Sequence, residues 1–233
     1  ALMQQQLTKQ DHYDYGLRSL KAVLNCAGAL KRDSPDMNED LIVLRALRDM
    51  NVPKFIEADN KLFVLLLGDL FPGLELPVSD IGALGGAINT ELLKQSMQLH
   101  ENSISKIVQT FDSMQTRHCN MLVGHTLGGK SVVWKTLRNA KCALAKAGNP
   151  GFKQVLSVVL NPKSVTMDEL YGNFDRQTME WMDGVLSTIF RTMARDGRPI
   201  EQWLVLDGPV DTLWIESMNT VMDDNKTLTL ING

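Results

Sequence analysis

Cysteine is scarce in this chain: Cys26, Cys119 and Cys142 stand far apart and are odd in number. They form no CxxC pair, and the doublet His118-Cys119 is too small a donor set for a four-ligand metal site. No disulfide framework or zinc module is expected, and free buried thiols in a reducing compartment are. Long apolar runs are missing too. The longest, residues 62–67, falls far short of the roughly 20 residues needed to span a bilayer. No signal-peptide pattern opens the chain. The expectation is an intracellular, soluble protein with no membrane contact. Charge of one sign is lacking as well. Twenty-four Lys and Arg against 27 Asp and Glu leave a net charge of −3, which gives no reason to expect nucleic acid as a partner.

What is present is enough apolar material, 44% of 233 residues, for a real core. The first half reads as helical. Leu17, Leu20, Val23 and Leu24 recur at helical spacing over residues 16–30, so that stripe is expected to face a core. Asn38 is placed to cap a helix over residues 39–50, ended by Asn51-Val52-Pro53. Residues 60–70 form another apolar helix, stopped by Phe71-Pro72-Gly73. Residues 72–86 read as a connector and residues 90–114 as a last helix. The second half changes period, and all four tryptophans lie in it. Residues 119–123 and 154–160 read as strands, 130–147 and 181–194 as helices, and 203–206 as a buried strand. A helix over 211–222 and an extended stretch over 226–231 follow. Strands alternating with helices imply a parallel sheet. The expected organisation is α/β, with a helical subdomain over residues 1–115 and a nucleotide-binding core over residues 116–233.

Gly124-His125-Thr126-Leu127-Gly128-Gly129-Lys130-Ser131 matches GxxxxGK[ST] between an expected strand and an expected helix, the context of a working P-loop. Consecutive backbone N–H groups of such a loop wrap a phosphate, and the helix presents its positive end. Its glycines permit the tight backbone, and Val132 continues the same contact surface into the helix. Lys130 is expected near the outer phosphates and Ser131 on Mg²⁺. Trp203-Leu204-Val205-Leu206-Asp207 has the form of a Walker B strand, whose aspartate holds the metal through water. Asp207 also suits the start of a turn before Gly208-Pro209. The ligand expected is ATP with Mg²⁺. Where many such ATPases carry a glutamate after that aspartate, this chain has Gly208, which cannot accept a proton. General-base effects are worth about 10²–10⁴ in rate, so hydrolysis is expected to be slow or absent.

Asn161-Pro162-Lys163, Glu169-Leu170-Tyr171-Gly172, Trp181-Met182-Asp183-Gly184 and Leu206-Asp207-Gly208-Pro209-Val210-Asp211 follow one another, and then Trp214-Ile215-Glu216-Ser217-Met218-Asn219. That succession closely resembles the second AAA+ module of dynein heavy chains. Asp14-Tyr15-Gly16-Leu17-Arg18, Arg45-Ala46-Leu47-Arg48-Asp49 and Asp69-Leu70-Phe71-Pro72-Gly73 resemble the end of the first module. The wording of residues 207–224 is more like axonemal than cytoplasmic members. The resemblance implies a helical AAA+ small subdomain followed by an incomplete P-loop AAA+ core, in a module that binds ATP with little hydrolysis. It implies that Arg18 is a sensor-2 arginine for the preceding module. It implies neighbouring AAA+ modules, microtubules and dynein light and intermediate chains as partners, and a place in the cytoplasm and cytoskeleton, within the axoneme of a cilium. His125 departs from the proline often found there in the family, a change expected to loosen the loop. The resemblance also puts the later strands of the sheet beyond Gly233, so the strand over 119–123 is expected to lose its neighbours. The competing readings are an active P-loop ATPase and a structural fragment that binds no nucleotide.

Overall fold

A computed structural model describes residues 2–74, 82–223 and 225–232. The chain groups into two compact units, residues 1–137 and 138–233. The first unit is helical: α1 (Leu2–Gln6), α2 (Leu17–Asp33), α3 (Glu39–Asn51), α4 (Glu57–Leu70), α5 (Gly82–Lys94) and α6 (Glu101–Thr116). A seventh helix, α7 (Lys130–Lys146), contains the division between the units. Asn38 caps α3 as its position implies, its side-chain oxygen accepting the Asp40 N–H at 3.0 Å. Glu39 and Asp40 in that first turn face the positive end of the helix. Pro53 then leads the chain into a short 3₁₀ turn, Val52–Lys54, before α4.

The core of this unit gathers Leu7, Leu44, Phe55, Phe63 and Leu67, with Tyr13, Tyr15, Leu41 and Leu47 packed around them. Tyr13, Phe55 and Phe63 meet edge to face at centroid distances of 5.0 and 4.9 Å. Burying Phe63 contributes on the order of 2–3 kcal/mol. Asp59, buried in the first turn of α4, ties down the chain before α2. It accepts the Thr8 N–H at 3.2 Å, the Thr8 hydroxyl at 2.5 Å and the Tyr13 hydroxyl at 2.8 Å. The Thr8 hydroxyl bond outweighs burial and holds its carboxyl below the usual value.

Two expectations for this unit are corrected. The leucine stripe of α2 does not enter a core: Leu17 is 88% exposed, and Leu20 and Leu24 are each 61% exposed. The packed face of α2 carries Ser19, Val23, Cys26 and Leu30 instead, and α2 packs on α3. The single helix expected over residues 90–114 is two. Ser96 takes φ 57° and the Met97 N–H bonds back to Leu92 O at 3.0 Å, closing α5. His100 then caps α6, accepting the Asn102 N–H at 3.3 Å. Of the expected connector, residues 75–81 lie outside the described residues, while residues 82–86 open α5.

The second unit contains β1 (Val155–Leu160), α8 (Met167–Tyr171), β2 (Gly172–Phe174), β3 (Trp181–Asp183), α9 (Val185–Arg195), β4 (Glu201–Leu206), α10 (Thr212–Glu216) and α11 (Asn219–Met222). β1 and β4 pair in parallel, from Val155 with Glu201 to Leu160 with Leu206. The part of α7 in this unit reaches both strands. Arg138 donates to the Ser157 hydroxyl at 2.9 Å. Lys141, buried, pairs with Glu201 and lies 5.6 Å from the centre of the Trp203 ring. Thr166 and Glu169 form a capping box on α8. The buried Tyr171 hydroxyl donates to Trp214 O, and burial pushes its pKa up to about 12.

The helix expected over 181–194 starts later. Residues 181–183 pair antiparallel with β2, and Trp181 packs against Phe174 at 5.2 Å between ring centres. Gly184 is extended and α9 begins after it. The expected helix over 211–222 is two short ones, and residues 226–231 join no strand. Among the described residues no helix is long and apolar enough to cross a membrane.

Candidate functional site: the phosphate loop and the carboxyl edge of the sheet

In the first unit, residues 124–129 form an exposed loop that turns into α7 at Lys130. Gly128 N–H bonds to His125 O at 3.1 Å, and Leu127 and Gly129 take φ 66° and 80°. Gly129 accommodates that left-handed backbone without strain, while Leu127 does so at a cost. Leu127 is fully exposed, so the strain is not offset by packing. The Lys130 ammonium turns back into the loop, donating to Gly124 O at 2.9 Å and His125 O at 2.7 Å. The loop is therefore curled around its own cation at the N-terminus of a 17-residue helix. Such an arrangement suits a polyphosphate: the cation is inside the turn and the backbone N–H groups of the helix start are not used by preceding turns.

The run before this loop is not a strand. Residues 119–123 pair with no strand among the described residues, and Val123 is 85% exposed. An apolar run gains little as a strand without a ladder on either side. Ser131 and Val132 occupy the first turn of α7, Ser131 exposed and Val132 half-buried. Arg18 lies exposed in the first turn of α2, a separate element of the same unit.

Asp207 belongs to the second unit. Its N–H bonds to Leu160 O at 2.9 Å as the chain leaves β4, and its side chain is exposed. Asn161 leaves β1 at the neighbouring position and caps the turn Pro162–Ser164. Lys163 in that turn pairs with Asp211, which caps α10 by accepting the Leu213 N–H at 2.9 Å. The Lys163 bond, with that N–H behind it, holds the Asp211 carboxyl below the usual range. Reading the motifs alone missed Asn161 and Lys163. A strand followed at once by Asn-Pro was the available signal, because in-register parallel pairing sets residue 161 beside residue 207.

Among the described residues no group of three or more His, Cys, Asp or Glu side chains could hold a metal. Mg²⁺ asks less, since it is held by one or two protein oxygens, phosphate oxygens and water, and the Ser131 hydroxyl and Asp207 carboxylate are donors of that kind. Two concavities among the described residues contain no residue of the phosphate loop. One, about 360 Å³, is lined by α9 and Asp183, and the other, about 500 Å³, lies between α6 and the end of α3.

Residues 1–131, from the start of the chain through the last residue of the phosphate motif, match the family model described as the hydrolytic ATP binding site of the dynein motor region. The chain belongs to this dynein motor family. Curated dyneins align with all of it. Mouse dynein axonemal heavy chain 2 is 45% identical over 233 residues, which is 100% of this chain and 5% of that protein. The dynein-1-beta heavy chain of the flagellar inner arm I1 complex from Chlamydomonas reinhardtii is 48% identical over 235 residues, again 100% of this chain and 5% of the other. Human dynein axonemal heavy chain 6 is 46% identical over 234 residues, 100% and 6% respectively. The chain thus spans about one twentieth of the length of these dyneins. Mixed helices with a short parallel sheet fit a fragment of an AAA+ domain, as the sequence implied.

Proposed function

We propose that this chain is a nucleotide-holding part of a dynein motor, binding ATP with Mg²⁺ on residues 124–132 and turning it over slowly or not at all. The observation that carries the reading is the loop curled around Lys130, at the end of the segment that matches a dynein ATP-binding site. Lys130 neutralises the outer phosphates when it exchanges its two carbonyl partners for them. Ser131, in the first unit, and Asp207, in the second, are each proposed as an oxygen donor to the metal. Slow turnover follows from the residue after Asp207, Gly208, which offers no base.

In this proposal residues 1–115 close one AAA+ module, with Arg18 serving its nucleotide, and residues 116–233 open the next. ATP then acts as a brace, stabilising those states of the motor that bind it best. The neighbouring AAA+ modules are the immediate partners, and microtubules and the lighter dynein chains are partners of the whole motor. The axonemal and flagellar names of the relatives support a place for the motor in the cytoskeleton of a cilium. The family's description as a hydrolytic site favours a second reading, an active ATPase.

Equilibrium titration of the chain with ATP and Mg²⁺, beside Lys130→Ala and with phosphate release measured in parallel, separates the two readings. The proposal expects binding weakened about 10- to 100-fold by the substitution, the loss of one charge-assisted hydrogen-bonding group. It expects no release that depends on Lys130. Steady release lost in Lys130→Ala supports the active ATPase, and an absence of binding removes both.

A further inference from the structure

The carboxyl edge of the β1–β4 pair is more closely filled than its motifs require. Leu160 and Leu206 are partners at the end of the register, so Asn161 and Asp207 leave the sheet side by side. Gly208, the next residue, is pressed against the turn that follows β1. A Cβ at position 208 would stand 2.7 Å from Asn161 Oδ1 and 3.3 Å from Pro162 Cδ. Neither neighbour yields without loss. Asn161 Oδ1 accepts the Lys163 N–H at 3.0 Å, and the Asn161 carbonyl accepts from the Ser164 N–H at 3.1 Å and its hydroxyl at 2.7 Å. The Pro162 ring is rigid. Any residue but glycine at 208 forces the Asn161 side chain off its cap.

We infer that Asn161 determines what can stand beside Asp207: with Pro162 it keeps position 208 free of a side chain and so excludes a carboxylate base from the metal edge. The inference rests on the nucleotide-holding reading and gives it a steric cause. The same segment disposes of the next carboxylate along the chain. Asp211 spends one oxygen on the Leu213 N–H and the other on the ammonium of Lys163, two residues after Asn161. Both of its oxygens are engaged and its basicity is lowered, which makes it a poor proton acceptor for a water. Asn161-Pro162-Lys163 thus closes one base position and occupies the other, and the edge is left to hold a metal.

Thermal unfolding of the full chain without nucleotide tests this. Gly208→Ala and Gly208→Glu are each made in three backgrounds: unaltered, Asn161→Ala and Asn161→Asp. In the unaltered chain each lowers the melting temperature by about 3 °C, the size of a lost cap in a protein of this length. Asn161→Ala alone lowers it comparably, because the cap is gone, and either change at 208 then adds clearly less than in the unaltered chain, the remainder being the contact with Pro162. Asn161→Asp keeps both the cap and the obstruction, so Gly208→Ala costs as much as in the unaltered chain and Gly208→Glu at least as much, the added carboxylates repelling each other. Equal costs at 208 in all three backgrounds, or no cost in the unaltered chain, overturn the inference. Because nucleotide plays no part, the result is independent of whether the chain binds ATP. A chain that binds no ATP removes the holding function and leaves the obstruction intact, and additive costs do the reverse.

Discussion

Asp112 shows how a single residue reports on its surroundings. It lies on α6 beside the 500 Å³ cleft, and burial pushes its carboxyl up to about 6. Asp49 adds to that rise, while Arg48 and Arg45 oppose it. The folded chain therefore holds a proton that the unfolded chain releases near the ordinary value of 3.8. Between those two values the folded state binds more protons, so stability falls as pH rises through the window and stays lower above it. Asp112→Asn removes the dependence. With solvent screening discounted, it should stabilise the chain at pH 7 by on the order of 1 kcal/mol and change little at pH 4. Urea unfolding at the two pH values checks both parts, and equal effects at both would remove burial as the cause. Nothing in the local sequence around Asp112 announces this, because burial and the charges that modify it, Asp49, Arg48 and Arg45 on α3, come from chain more than 60 residues earlier.

Elements were legible in the sequence where their own residues decide them. Asn38 is such a case, and replacing it with Ala should cost about 1 kcal/mol in urea unfolding through loss of the α3 cap. A negligible cost would mean that the turn before α3 is held by other contacts. The start of α7 and the end of β4 were readable for the same local reason, a glycine-rich loop and an apolar run ending in Asp, while β4 begins two residues before its expected start at Trp203. What was not legible depends on partners distant in sequence. The leucines of α2 have helical spacing, yet only the position of α3 decides which stripe of that helix is packed. Residues 119–123 are as apolar as a strand should be, but a strand forms only beside another. Trp181-Met182-Asp183 continues the pattern of α9 into residues that pair instead with β2, and three-residue strands leave no period to read. Asn161 belongs with these, since its contact with Gly208 arises from the register of two strands some forty residues apart.

At the scale of the whole molecule, residues 1–131 carry the dynein family match, and the proposed metal edge in residues 138–233 has no base to offer. The motif of each half was plain in the sequence. The chemistry left out of them, the occupied Asp211 and the obstructed position 208, emerged only in three dimensions. The central claim is that this part of the dynein chain holds ATP without consuming it. The most direct measurement is a single-turnover assay: radiolabelled ATP with Mg²⁺ and the chain in excess, followed for bound nucleotide and released phosphate in the same samples. The account predicts that label stays bound as ATP over many minutes and that Lys130→Ala lowers the bound fraction in line with an affinity about 10- to 100-fold weaker. Conversion of the bound label to ADP and phosphate within seconds, lost in Lys130→Ala, would contradict it.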